Sequence, residues 1–159
     1  MRLSTLLDET HIQVKLHVSS KKALFEAIAD HISASHPLLN PDQLVANLSQ
    51  RERLGGTGIG NGVAIPHCRV PRNSKCILGF YTLAEPIFYD DENPAVELVA
   101  LLLAPESADQ QHLDLLAEVA ALVQTQAVRS ALIQAQSATT LLEVVQTHAS
   151  AAPSRHVIG

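Results

Sequence analysis

Arg51-Glu52-Arg53-Leu54-Gly55-Gly56-Thr57-Gly58-Ile59-Gly60-Asn61-Gly62-Val63-Ala64-Ile65-Pro66-His67-Cys68 holds five of the chain's seven glycines, and its apolar end stops at a proline and a histidine. Glycine reaches backbone angles that other residues avoid and lets the main chain approach another group closely, at an entropic cost when ordered. No register of Gly55 to Gly62 gives the G-x-G-x-x-G dinucleotide fingerprint. A P-loop needs a lysine at its end, and none lies between Lys22 and Lys75. Two readings remain on residue chemistry alone. One is a tight loop between a helix and a strand; the other is a presented nucleophile, His67, carrying a phosphoryl group.

Upstream, Asn40-Pro41 reads as an N-cap and a proline in the first turn of a helix that carries Leu44, Val45 and Leu48 inward. That helix reaches about Leu54, with Gly55 as a left-handed terminator. Arg51 and Arg53 fall in its last turn, where either cation interacts favourably with the helix dipole. Before it, Ser19 and Ser20 cap a helix built on Leu24, Ala27, Ile28 and Ile32. Earlier still, Ile12, Val14, Leu16 and Val18 alternate with polar residues, the period of a half-buried strand. That places His11 and His17 on its solvated face. Leu3, Leu6 and Leu7 form one apolar turn on the core.

Downstream, Val70 to Asn73 and Ala84 to Pro86 read as turns on either side of a strand from Ile77 to Thr82. Asp90 to Pro94 is a polar turn. Val96 to Leu103 is nearly continuous in aliphatics, as in a central strand covered on both faces. A helix from about Ala108 puts Leu113, Leu116, Ala120 and Val123 on one stripe. Shorter helices follow over 128–134 and 139–148, then a loose tail from Ala149 to Gly159.

The chain is 159 residues long, enough for one domain with a single core, and its 47% apolar and 3% aromatic content makes that core aliphatic. A net charge of −5 with no basic cluster excludes nucleic acid as the partner. The longest apolar run, Val96 to Pro105, contains Glu97 and is too short to insert in a bilayer. Cys68 and Cys76 make no disulfide framework. A soluble cytoplasmic protein with reduced thiols is the expectation.

His67 and His112 differ from the other histidines. His67 closes a strand and His112 lies in the first turn of the helix after the strand ending at Leu103, and in layered α/β structures sites gather beyond the carboxyl ends of strands. If the two strands are neighbours and run the same way, His67 and His112 meet at one edge of the sheet. On chemistry alone His112 reads more simply as a polar boundary residue beside Leu113. Metal-type spacing is absent, so no metal and no cofactor is expected.

The run Thr57 to His67 resembles the signature of the IIA proteins of the mannitol/fructose class of the bacterial phosphotransferase system, and is most similar to the nitrogen-regulatory branch. Arg51-Glu52, Glu85-Pro86-Ile87, Leu98 to Pro105 and His112-Leu113 extend the resemblance over roughly residues 3 to 148. It implies an α/β domain over 1–148, a three-layer α/β/α sandwich around a small mixed sheet, with 149–159 as a flexible C-terminal tail. It also implies that His67 matches the phosphorylated histidine, His112 the second active-site histidine and Arg51 the active-site arginine. The donor would be a histidine-phosphorylated HPr-type phosphocarrier, and the protein a phosphotransferase in the loose sense that regulates target proteins by its phosphorylation state. Two positions depart from the pattern: Gly56 stands where serine is common, and Cys68 where glycine is usual. The competing readings are a sugar-specific IIA passing phosphate to a IIB cysteine, a binding module with a vestigial histidine, and a metal-dependent hydrolase using His67, Cys68 and His112, which lacks acidic ligands.

Overall fold

The computed structural model describes residues 2–71, 75–108 and 110–151. In chain order the elements are α1 (Leu3–Leu6), a 3-10 turn (Glu9–His11), β1 (Ile12–Leu16), α2 (Lys21–Ser35), α3 (Pro41–Leu54), β2 (Gly58–Gly60), β3 (Val63–Ala64), β4 (His67–Val70), β5 (Ile77–Ile87), β6 (Val96–Pro105), α4 (Gln111–Gln124), α5 (Gln126–Gln134) and α6 (Ala138–Ala151). The caps fall where the sequence places them. Ser20 Oγ accepts from the Ala23 N–H, and Asn40 Oδ1 accepts from the Gln43 N–H at 2.9 Å with Pro41 next in line.

The six strands form one mixed sheet in the order β1-β5-β6-β3-β2, and β4 also pairs with β6. β3 and β4 lie in turn along the same side of β6, both parallel to it. They are one strand interrupted at Ile65-Pro66, because proline has no N–H for the ladder. The Pro66 carbonyl still accepts from Leu102 N at 3.1 Å, which carries the pairing across the break. His67 therefore begins a strand segment rather than ending one.

β6 is the keel of the molecule. Leu98, Ala100, Leu102 and Ala104 belong to a core with α1, α4, α5 and α6, whereas Val99, Leu101 and Leu103 belong to a second core with α2 and α3. Alternation along the strand thus feeds both faces, which is why its sequence is apolar throughout. The architecture is a three-layer α/β/α sandwich around a mixed sheet, as expected. Truncating a fully buried β6 leucine such as Leu98 to alanine costs about 2–5 kcal/mol.

Several local expectations are corrected. Gly55 is extended (φ 165°), so α3 ends without a left-handed residue. The left-handed positions lie further on: Asn61 (φ 58°) and Gly62 (φ 77°) form a two-residue turn between β2 and β3, the geometry that matches hairpin twist. Glu85-Pro86 is part of β5, lying where pairing to β6 is interrupted between Thr82 and Ile87 and a missing N–H costs nothing. α4 starts at Gln111 and buries Leu115, Val119, Leu122 and Val123, leaving Leu113 exposed. His11 is half-buried with its Nε2 3.0 Å from Nε2 of His36, while His17 is exposed as expected. The tail expected from Ala149 begins as helix: α6 runs to Ala151 and Ala149 is buried. Residues 152–159, and the end of the turn expected after Val70, lie outside the described residues.

Candidate functional site

His67 stands at the first residue of β4, opposite Leu102, and Arg69 two residues on stands opposite Ala104. Both therefore share the face of the sheet that α4 covers. Among the described residues only β6 pairs with β4, and a cleft of about 460 Å³ lies along its other side between the end of α3 and the start of α4. Arg51, His67, Cys68, Arg69, His112 and Glu106 all line it. The neighbourhood expected for His67 and His112 follows from the parallel pairing of β4 with β6, and Arg51 joins them from the last turn of α3.

The ring of His67 is oriented by its own chain. Nδ1 lies 2.7 Å from the Ile65 carbonyl, which can only accept, so Nδ1 carries the proton and Nε2 keeps its lone pair. Burial holds the pKa of His67 below the ordinary 6.5. The bond to Ile65 opposes this, Arg51 adds to the lowering, Glu52 opposes, and His112 lowers it slightly further. At neutral pH the ring is therefore uncharged.

Arg51 donates from Nη1 to the Gly55 carbonyl at 2.8 Å, tying its guanidinium to the exit of α3. The opposite wall is held by Arg69, which the sequence reading passed over. Its Nη1 donates to the Pro105 carbonyl at 3.1 Å and also to the Ala108 carbonyl, and its Nη2 lies 3.2 Å from His112 Nε2. One guanidinium thus fixes both the loop after β6 and the imidazole at the start of α4. The signal that could have found it was the strand period, which puts residues 67 and 69 on one face.

The glycine run is clamped from two sides. A Cβ at Gly58 would sit 2.3 Å from the Asn93 side chain, and one at Gly56 would sit 2.8 Å from Asp90 Oδ2. Asn93 is buried; its Oδ1 accepts from Gly60 N at 2.9 Å and its Nδ2 donates to Asp90 Oδ1. At Gly56 a serine would need Asp90 to move. Cys68 is on the other face of β4, packed toward the α2/α3 core, and burial pushes its thiol up to about 12. Among the described residues no group of three or more histidine, cysteine or acidic side chains could hold a metal ion. Among the described residues no helix is long and apolar enough to cross a membrane.

Comparison with known proteins gives the family. The family model described as "Phosphoenolpyruvate-dependent sugar phosphotransferase system, EIIA 2" matches residues 5–148. A nitrogen regulatory protein of Pseudomonas aeruginosa is 36% identical over 146 residues, covering 91% of this chain and 95% of that one. The crystal structure of nitrogen regulatory protein IIA-Ntr from Neisseria meningitidis superposes with a TM-score of 0.82 at 31% identity, over 90% of this chain and 98% of that one. Mannitol IIA of Escherichia coli shares the fold, with a TM-score of 0.72 at 19% identity over 87% and 98% of the two chains. With the match spanning both cores and the whole cleft, the chain belongs to the EIIA 2 family of the phosphoenolpyruvate-dependent sugar phosphotransferase system, and within it is similar to the nitrogen regulatory proteins.

Proposed function

We propose that the protein is a regulatory phosphoryl carrier that accepts a phosphoryl group on Nε2 of His67 from a histidine-phosphorylated HPr-type carrier. The observation that carries this reading is the 2.7 Å bond from His67 Nδ1 to the Ile65 carbonyl, which leaves Nε2 as the free nucleophile in a cleft walled by arginine.

The neutral ring attacks phosphorus as the bond to the donor's ring nitrogen breaks. The donor, its other nitrogen protonated, leaves as neutral imidazole. His67 then carries the phosphoryl group on Nε2 and the proton on Nδ1, and the positive charge of that ring is stabilised by the Ile65 carbonyl. Such transfers pass through a loose in-line arrangement, so positioning and charge neutralisation supply most of the acceleration. Arg51 stabilises the phosphoryl oxygens, His112 donates a hydrogen bond to them, and Arg69 holds His112 in place. Leu54 and Leu113, 82% and 49% exposed, give the cleft an apolar rim suited to a protein donor.

The similarity to nitrogen regulatory proteins favours a regulatory output over delivery of phosphate to a transporter. The reading places the protein in the cytoplasm, with residues 1–148 as the working domain. Pull-downs from cell extract with wild type, His67→Ala and His67→Asp test it. Partners whose capture differs between His67→Ala and His67→Asp support regulation by phosphorylation state; capture of a IIB-type protein alone supports the sugar-specific alternative.

A further inference from the structure

Behind the glycine run, and outside the cleft's lining, Glu52 is hydrogen-bonded at both carboxylate oxygens. Its side chain is only 8% exposed, and a carboxylate that deep is tolerated only when fully paired. Oε2 accepts from Lys21 Nζ at 3.2 Å and from Thr57 N at 2.9 Å. Oε1 accepts from Thr57 Oγ1 at 2.6 Å and from the Tyr89 hydroxyl at 3.2 Å. Tyr89 and Thr57 are themselves 2.6 Å apart, and Lys21 Nζ sits 4.3 Å from the centroid of the Tyr89 ring. The proton count closes: Thr57 gives its hydroxyl proton to Glu52, and Tyr89 shares its own between Thr57 and Glu52.

Thr57 is thereby held at both its N–H and its hydroxyl. Its carbonyl in turn accepts from Ile65 N at 2.9 Å. Gly58 stands opposite Ala64 in the antiparallel β2–β3 pair, so Thr57 stands opposite Ile65 and this bond carries that ladder one step past both strands. The Ile65 carbonyl is the acceptor for His67 Nδ1. An unbroken series of hydrogen bonds therefore runs from the carboxylate through two backbone residues to the ring.

We propose that Glu52 is a positioning residue for His67, setting the ring's tautomer through Thr57 and Ile65. The proposal rests on the reading of His67 as phosphoryl acceptor for its consequence, but its structural half can be read without phosphate. A histidine ring left to water mixes both tautomers, and only the form protonated on Nδ1 offers Nε2. Replacing Glu52 by glutamine keeps the shape but removes the charge that Lys21 and Thr57 N–H bind, and its amide nitrogen, turned to the Thr57 and Tyr89 hydroxyls, forces both to accept where they now donate. Thr57 loosens, Ile65 follows, and the ring samples the unproductive tautomer. Glu52 is buried away from the docking rim, so affinity for the carrier should not change.

The experiment combines ring-nitrogen NMR of His67 with transfer kinetics from a phosphorylated HPr-type carrier, for wild type, Glu52→Gln, Thr57→Val and Thr57→Ser. Wild type should show Nδ1 protonated and Nε2 bare at pH above the ring's pKa. Glu52→Gln and Thr57→Val should show mixed tautomers and a maximal rate lower by about tenfold to a hundredfold, the scale of a misplaced reacting group, with unchanged KM. Thr57→Ser, which keeps both donors, should behave as wild type. Thr57→Val carries the test if Glu52→Gln does not fold. A folded Glu52→Gln or Thr57→Val with His67 still held on Nδ1–H would overturn the proposal. Mixed tautomers in the variants, with a wild type that takes no phosphate, would uphold it and remove the acceptor reading instead.

Discussion

The Arg69 guanidinium lies 3.2 Å from Nε2 of His112, while its other terminal nitrogen holds carbonyls of the loop that leads into α4. The two residues are 43 positions apart. They meet because β4 runs parallel to β6 and Arg69 stands opposite Ala104, at the end from which that loop departs. Since planar, forked donation to several carbonyls is particular to guanidinium, lysine cannot reproduce it.

Arg69→Met should therefore fold, because both its contacts and its side chain are at the surface of the cleft. Transfer to His67 should slow by about tenfold to a hundredfold as His112 loses its anchor. Arg69→Lys should recover only part of the rate. Initial rates with a phosphorylated carrier decide it, and wild-type rates in Arg69→Met would reduce the contact to packing.

His112→Ala and Arg51→Ala should each retain the fold and slow transfer by about tenfold to a thousandfold, the range for one positioned donor. Circular dichroism checks the fold. If both accept phosphate at the wild-type rate, neither serves the phosphoryl group.

Cys68 sets a third test. Burial pushes its thiol up to about 12, so almost no thiolate exists at neutral pH. It should react with a disulfide reagent far more slowly than free cysteine, and oxidised glutathione should leave transfer unchanged. Because the thiol packs on the face opposite His67, Cys68→Gly should also transfer normally. Cys68 is half-buried and lines the cleft, so rapid labelling there in mass spectrometry would contradict the raised thiol pKa rather than the packing.

Acid should weaken the fold through histidine. Burial and the neighbouring His36 hold His11 below the ordinary 6.5, with Asp8 acting the other way; burial and His11 do the same to His31, whose Nδ1 lies 2.7 Å from the Tyr81 hydroxyl. The unfolded chain then binds protons first, so this stability is complete above about pH 6.5 and is lost as pH falls through the folded values. Chemical denaturation between about pH 8 and pH 5 should show the decline, with a shallower slope in His11→Gln. Equal stability across that range would contradict the sign.

What could be read from the chain follows its local signals. The caps at Ser20 and Asn40, the aliphatic run of β6 and the glycine run before His67 each carry their meaning within a few residues. Arg69, the His11–His36 pair and the Glu52 carboxylate do not, because each acquires its role from a partner brought near by strand order or helix docking. On α4, Leu116, Ala120 and Val123 pack on the core as their spacing suggests, whereas Leu113 is exposed and Leu115, Val119 and Leu122 form the buried centre, a choice between helical spacings that only docking on the sheet makes. The Asn61-Gly62 turn, by contrast, had its signal in the sequence, hidden among the surrounding glycines.

The most direct test of the whole account is the fate of phosphate on His67. A phosphorylated HPr-type carrier incubated with wild type should leave one acid-labile phosphoryl group per chain, placed by NMR on Nε2 of His67, and none on His67→Ala. Equal labelling of the two proteins, or a phosphoryl group on Nδ1, would contradict it.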